Sequence, residues 1–233
     1  MIQLSYTYEA ELTEVWDALT NAERLSRWYG PIQGDLQQGG TYRLFNDEGN
    51  SNERGKILLC EPPYAFKVQY TAIPTVSRYS KPCYPEEFAA QVAYAEAHDD
   101  DMWIEVRLER VGDRTTLVLQ FLYAAPDEQD LASLFGPCWI GYYVDAYVLS
   151  LDRHLRGKRL IKGWENTAAG KRAAVLSAQE WGKASVAAGF PADEVAEQVE
   201  GLIFIINDKL TSEVIDAVFG AIFEGIDATE SSS

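Results

Sequence analysis

A chain of 233 residues that is 47% hydrophobic, 12% aromatic and 24% charged has the composition of a globular protein, long enough for one sizeable domain or for a domain of about 150 residues with an appendage. Its formal charge of −16 works against the positive surface that nucleic acid and anionic lipid both require, so neither is expected as a partner. No apolar run approaches the roughly 20 residues of a membrane span, and the start, MIQLSYTYEAE, has no basic region, apolar core or small-residue cleavage site, so a cytoplasmic location is expected.

In chain order, residues 2–9 alternate Ile2, Leu4, Tyr6 and Tyr8 with polar neighbours, the period of a half-buried strand. Two short helices are predicted next, one capped by Thr13 and carrying Val15, Trp16 and Leu19, the other capped by Asn21 and carrying Leu25 and Trp28, with Gly30-Pro31 as the stop. From Gly39 the rhythm is that of strands: TYRLFN, RGKILLCE ended by Pro62-Pro63, and YAFKVQYTA, which places Phe66, Val68 and Tyr70 on one side. Residues 72–100, with Pro74, Pro82 and Pro85 ahead of EEFAAQVAYAEAH, read as an inserted loop with a helix. MWIEVRLERVGDRTTLVLQFLYA is a hairpin about Gly112-Asp113.

The stretch from Leu131 to Gly157 reads as one long helix beginning near Pro137 and ending at Gly157. Trp139, Tyr142, Tyr143, Ala146 and Ser150 form one face, and Ile140, Val144, Tyr147, Leu151 and Leu155 a second. Apolar on most of its circumference, such a helix needs partners on two sides. A sheet is expected on one and the helical tail on the other. The tail, 165–233, holds 4 Lys/Arg against 12 Asp/Glu and contains three helical stretches, ending at Gly189, starting at Pro191, and starting at Thr211 or Ser212. Its apolar residues, among them Val195, Val199, Leu202 and Ile206 and later Val214, Val218 and Ile222, must be buried on the chain's own long helix or on a second copy in a homodimer, with the first favoured.

The stretches VWDALTNAERLSRWYGP, GDLQQGGTYRL, GKILLCEPPYAFKVQY and the hairpin starting WIEVRLER resemble, in order and spacing, the bacterial proteins related to the activator of the heat-shock-protein-90 ATPase, within the START/polyketide-cyclase (SRPBCC) superfamily. The resemblance covers about residues 1–160. It implies an α+β helix-grip fold, a curved antiparallel sheet around a long C-terminal helix, to which the helical extension 165–233 is added.

Signatures of catalysis and cofactor binding are missing: the sequence has no GxxxxGK[ST], GxGxxG, GxSxG or HExxH, and only two histidines, His98 and His154. Cys60, Cys83 and Cys138 are far apart and in no CxxC pair, as expected of free thiols rather than a disulfide or zinc framework. No catalytic residue, metal or cofactor is therefore assigned. His98 beside Asp99, Asp100 and Asp101 reads as a solvated loop, and His154 as a group at a helix C-terminus. Asp145 stands out as an acid on a buried helix, which must find a cation or donors or take a raised pKa. The expected function is binding of a small apolar or aromatic molecule between sheet and helix, in a cavity formed by Trp28, Tyr42, Leu44, Phe66, Val68, Tyr70, Ile104, Val106, Leu119, Phe121, Trp139, Tyr143, Asp145 and Tyr147. Two alternatives stay open: a cyclase-like enzyme using Asp145 and a tyrosine as acid and base, and a co-chaperone that activates an ATPase by surface contact.

Overall fold

The computed structural model describes residues 1–45, 51–72, 103–122, 131–158, 164 and 167–208, with side chains at 51–53, 70–72, 122, 131–135, 140, 142, 143 and 208 outside that description. Seven antiparallel strands form one sheet in the order β1-β7-β6-β5-β4-β3-β2. They are β1 (Ile2–Tyr8), β2 (Ile32–Gly34), β3 (Thr41–Phe45), β4 (Ser51–Glu61), β5 (Ala65–Ala72), β6 (Trp103–Val111) and β7 (Arg114–Leu122). Helices α1 (Leu12–Thr20) and α2 (Ala22–Leu25) follow β1, and α3 (Leu131–Leu155), α4 (Ala168–Ala187) and α5 (Ala192–Asp208) follow β7. From β2 onward each strand pairs with the next, and the N-terminal strand joins the far edge by pairing with β7, Ile2 opposite Phe121 and Tyr8 opposite Thr115.

The alternation in the sequence becomes one continuous inner face. Leu4 lies opposite Leu119, Val106 lies opposite both Leu119 and Phe66, and Ile104 opposite Phe121 and Val68. Cross-strand apolar pairs of this kind are what bind a sheet to its core. The register slips between Leu44 and Phe45 and between Ile57 and Leu59, and such irregularities bend a sheet locally. Leu58, at the second slip, is left largely exposed.

Most predicted elements are present, with two differences, and the long helix starts as expected. Strand β2 was not expected: its three residues, Ile32, Gln33 and Gly34, are too few to show an alternation. Thr13 is not a cap; α1 begins after Glu11, which makes no side-chain cap bond, whereas Asn21 does cap α2 by accepting from the amides of Glu23 and Arg24. Helix α3 has a sharp break at Gly136 (φ 54, ψ −148), so its straight part begins at Pro137. The inserted segment 73–100, with Cys83 and His98, and the helix expected from Thr211 lie outside the described residues.

Helix α3 lies between the sheet and the other two C-terminal helices. Helix α4 starts with Thr167 accepting from Gly170 and contacts both α3 and β1, while α5 contacts α3 and α4. Val195, Leu202 and Ile206 of α5 are buried, as are Ala174, Ala178 and Trp181 of α4. Contact between α3 and α4 is so close that a Cβ on Gly141 would lie 2.1 Å from the Trp181 ring.

Candidate functional site

A cavity of about 280 Å³ lies between the inner face of the sheet, α1, α2 and α3. The sheet contributes Tyr8, Tyr42, Ile57, Phe66, Val68, Ile104, Val106, Leu117, Leu119 and Phe121; Leu19, Leu25, Trp28, Tyr29, Ile32 and Leu36 come from the segment between β1 and β3. Helix α3 adds Val144, Tyr147, Val148 and Leu151, spaced i, i+3, i+4, i+7 and so aligned on one stripe. None of these residues carries a charge at neutral pH.

Two hydrogen bonds fix the α1–α2 wall of this cavity. The Trp28 indole donates to the carbonyl of Ala18 at 2.9 Å, and Ser150 of α3 donates to the carbonyl of Trp28 at 2.8 Å. Beside them Tyr29 stacks obliquely on Tyr147, with ring centroids 4.3 Å apart. Trp16 meets Phe66 edge-on at 6.2 Å. Aromatic pairs in these geometries add stability beyond their buried area, so the wall is held by oriented rings and not by generic apolar contact alone.

Of the residues expected to form the cavity, Trp28, Tyr42, Phe66, Val68, Ile104, Val106, Leu119, Phe121 and Tyr147 line it. The side chains of Tyr70 and Tyr143 lie outside the described residues. Leu44 and Trp139 are buried in the core but do not reach the cavity: Leu44 is one step beyond Tyr42 along the inner face, and Trp139 lies more than one helical turn before Val144. Sequence reasoning missed Val144, Val148 and Leu151 as cavity residues, although Tyr147 fixes the same helical stripe. It also missed Leu117, two residues before Leu119 on one strand face, and Tyr8.

Asp145 is a correction. A residue adjacent to Val144 is rotated about 100° around the helix, and the carboxylate therefore faces β1 and α4 instead of the cavity. There it opens on a separate hollow of about 630 Å³ lined by Leu4, Tyr6, Ala146, Leu149, Ser177 and Glu180 among others. Tyr6 donates its hydroxyl to Asp145 Oδ1. Burial pushes the Asp145 carboxyl above the usual carboxylate range; Ser177, Tyr6 and Trp181 oppose the shift and Glu180 adds to it. Ser177 Oγ and Trp181 Nε1 make no hydrogen bond in this geometry, so they act as nearby dipoles. The Tyr6 hydroxyl is pushed up by its own burial first and by Asp145 second. Asp145 and Tyr6 thus form a buried hydrogen-bonded pair behind the helix, facing the second hollow, and Asp145 is not placed to act as acid or base inside the first cavity.

The other reactive groups among the described residues are also accounted for. His154 accepts from Arg24 Nε at 3.4 Å, and burial, then Arg24 and Arg27, hold its pKa below the ordinary histidine value. It is therefore kept neutral, and does not serve as a cation at the helix end. Arg24 in turn pairs with Glu14 and Asp17. Cys60 and Cys138 are free thiols, and burial pushes that of Cys138 up to about 11. Among the described residues no three His, Cys, Asp or Glu side chains gather as a metal site, and no helix is long and apolar enough to cross a membrane.

Comparison with known proteins agrees with this architecture. The family model for "Activator of Hsp90 ATPase homolog 1-like protein" matches residues 9–146. The crystal structure of CalU16 from Micromonospora echinospora is similar at a TM-score of 0.51 and 24% identity, over 78% of this chain and 86% of that one. The solution structure of the same protein gives 0.54 and 23%, over 79% and 86%. The Aha1 dimer from Colwellia psychrerythraea gives 0.44 and 18%, over 66% and 96%. No curated protein sequence matches the chain. With more than half of its length matched by the family model and the seven-stranded sheet gripping a long helix, the chain belongs to the Activator of Hsp90 ATPase homolog 1-like family, within the START/SRPBCC superfamily.

Proposed function

We propose that the protein binds a small apolar or aromatic molecule in the cavity between the sheet and α3. The observation that carries this reading is a space of about 280 Å³ whose lining side chains are apolar or aromatic, near the lower end of the few hundred Å³ common for small-molecule sites. Such a space is suited to one or two fused rings and not to a long lipid. Removing apolar surface from water supplies the affinity, at about 25 cal/mol per Å², and the ring pair Tyr29–Tyr147 offers stacking at the α1–α2 side. Residues 1–160 form the binding domain of this reading, acting in the cytoplasm, and the helices from 165 onward brace α3 from behind.

Native mass spectrometry of the gently purified protein, followed by denaturing extraction, tests the binding. A stoichiometric small molecule is expected; no bound mass, together with no saturable uptake of an added two-ring hydrocarbon, would overturn it. The same spectrum counts subunits and so decides between a monomer and a homodimer. Deleting residues 165–233 tests the brace: exposure of the α3 face around Gly141 should make the remainder insoluble, and a truncated chain that stays soluble and equally stable would refute that role.

A further inference from the structure

We propose that the hollow of about 630 Å³ behind α3 is a second binding site, for an organic amine held as its ammonium, and that the Asp145 carboxylate pairs with that charge. The site is separate from the cavity in front of α3 and does not depend on the binding role proposed there. Leu4 and Tyr6 of β1, Asp145 and Leu149 of α3, Ala184 of α4 and Trp164 ahead of α4 all contribute to its walls. Asp145 meets this space with one oxygen engaged and one open. Its Oδ1 accepts from the Tyr6 hydroxyl. Its Oδ2 takes no hydrogen bond among the described residues, and it is not sealed from solvent as the unpartnered Ser177 Oγ and Trp181 Nε1 are. That second oxygen is therefore reachable from the hollow.

The sign of the ligand's charge follows from the other groups on the hollow. Among the described lining residues the charged ones are Asp145, Glu180 and Lys183, and the Lys183 ammonium already donates to Glu180 at 2.6 Å. Asp145 is left with no cation of its own among the described residues. Burial pushes its carboxyl above the usual range, against the opposing effects of Ser177, Tyr6 and Trp181. The group is short of positive charge, and a bound ammonium supplies it through a charge-assisted hydrogen bond. A carboxylate ligand would be repelled by the same acid and find no uncommitted cation. A purely apolar ligand would cover Oδ2 and leave it without water or a donor, which is costly. Leu4, Leu149, Ala184 and the Trp164 ring accept the hydrocarbon part of an amine, in a space of the size usual for small-molecule sites.

The test titrates the full chain, with NMR detection, with tryptamine and with tryptophol, the uncharged alcohol of the same ring and chain. Wild type should bind tryptamine about tenfold more tightly than tryptophol, as expected for one charge-assisted hydrogen bond. Asp145→Asn, which keeps the shape and an acceptor for Tyr6, should erase that preference. Ala184→Phe, which fills part of the hollow and leaves the carboxylate intact, should weaken both probes. Uptake of a two-ring hydrocarbon by the cavity in front should be the same in all three proteins. No preference for tryptamine in wild type, a preference that survives in Asp145→Asn, full-strength tryptamine binding in Ala184→Phe, or equal loss of hydrocarbon and amine in a folded variant overturns the proposal. Should Asp145→Asn fail to fold, the wild-type preference and the effect of Ala184→Phe decide. A wild type that takes up tryptamine and no hydrocarbon overturns the role of the front cavity and leaves this site standing.

Discussion

The two faces of α3 meet opposite surroundings within one turn of helix. On one, Val144, Tyr147, Val148 and Leu151 look across an open space of about 280 Å³ toward the sheet. On the other, Gly141 is pressed so tightly on Trp181 that a methyl group has no room. Trp181 is fully buried, and its neighbour Gly182 lies against Val199 and Val195 of α5. At Gly141 the helix is thus clamped from behind by small residues, while the cavity in front and the hollow beside Asp145 and Leu149 leave it less closely packed further along. A cavity bounded by a close-packed interior survives only if its walls cannot collapse inward, and the clamp behind α3 supplies that rigidity. The open space in front and the tight contact at Gly141 are two parts of one arrangement.

The contrast can be broken most severely at Gly141. Gly141→Ala should destabilise the protein by about 3 kcal/mol, the upper range for overpacking, because the obstacle is the Trp181 ring itself and not the end of a flexible chain. Urea denaturation measures it, and a loss below about 1 kcal/mol would show that the clamp can yield.

A smaller, pH-dependent effect is expected from Asp145→Asn. Burial raises the folded-state pKa of this carboxyl above its ordinary value of 3.8, so its contribution to stability is complete below that value and is lost as pH rises through the folded pKa. The stability of wild type relative to the variant should therefore fall as pH is raised above 3.8. A difference that stays constant or grows with pH would mean that the carboxylate is held ionised by its donors.

Ser150→Ala sharpens the comparison at the boundary of the two faces. It removes the donor to the Trp28 carbonyl and should cost about 1 kcal/mol, read again by denaturation. An unchanged stability would mean that the α1–α2 wall does not depend on α3. The smallest effect is expected at Val148→Ile, which adds one methylene on the cavity side. The open space should absorb it with a change below about 0.5 kcal/mol, well under the usual overpacking penalty, while narrowing the cavity and weakening uptake of a two-ring probe. A destabilisation comparable to that of Gly141→Ala would mean the space is not available to side chains.

Periodicity carried a large part of this outcome. Alternation along TYRLF, AFKVQ and WIEVRL put Tyr42, Phe66, Val68, Ile104 and Val106 on one face, because side chains on a strand have a period of two whatever the strand pairs with. The turn chemistry of Gly112-Asp113 and Gly157, the cap at Asn21 and the start of the straight helix at Pro137 were local matters too, each decided within a few residues. Four stretches in order and spacing were enough to suggest the family that the chain belongs to.

Other features were decided only by tertiary structure. Strand β2 exists because three residues find a partner in β3, which no local pattern announces. Asp145 was expected in the cavity because a helix apolar on both sides does not say which side meets the sheet; one residue's rotation put its carboxylate against Tyr6 and α4 instead. The open second oxygen of Asp145, likewise, is a property of everything that failed to reach it. Sequence by itself determined which residues share a face, since that follows from the geometry of a single helix or strand. Which faces meet, how closely, and where a space is left depend on the relative placement of elements distant in the chain, and those only the folded molecule fixes.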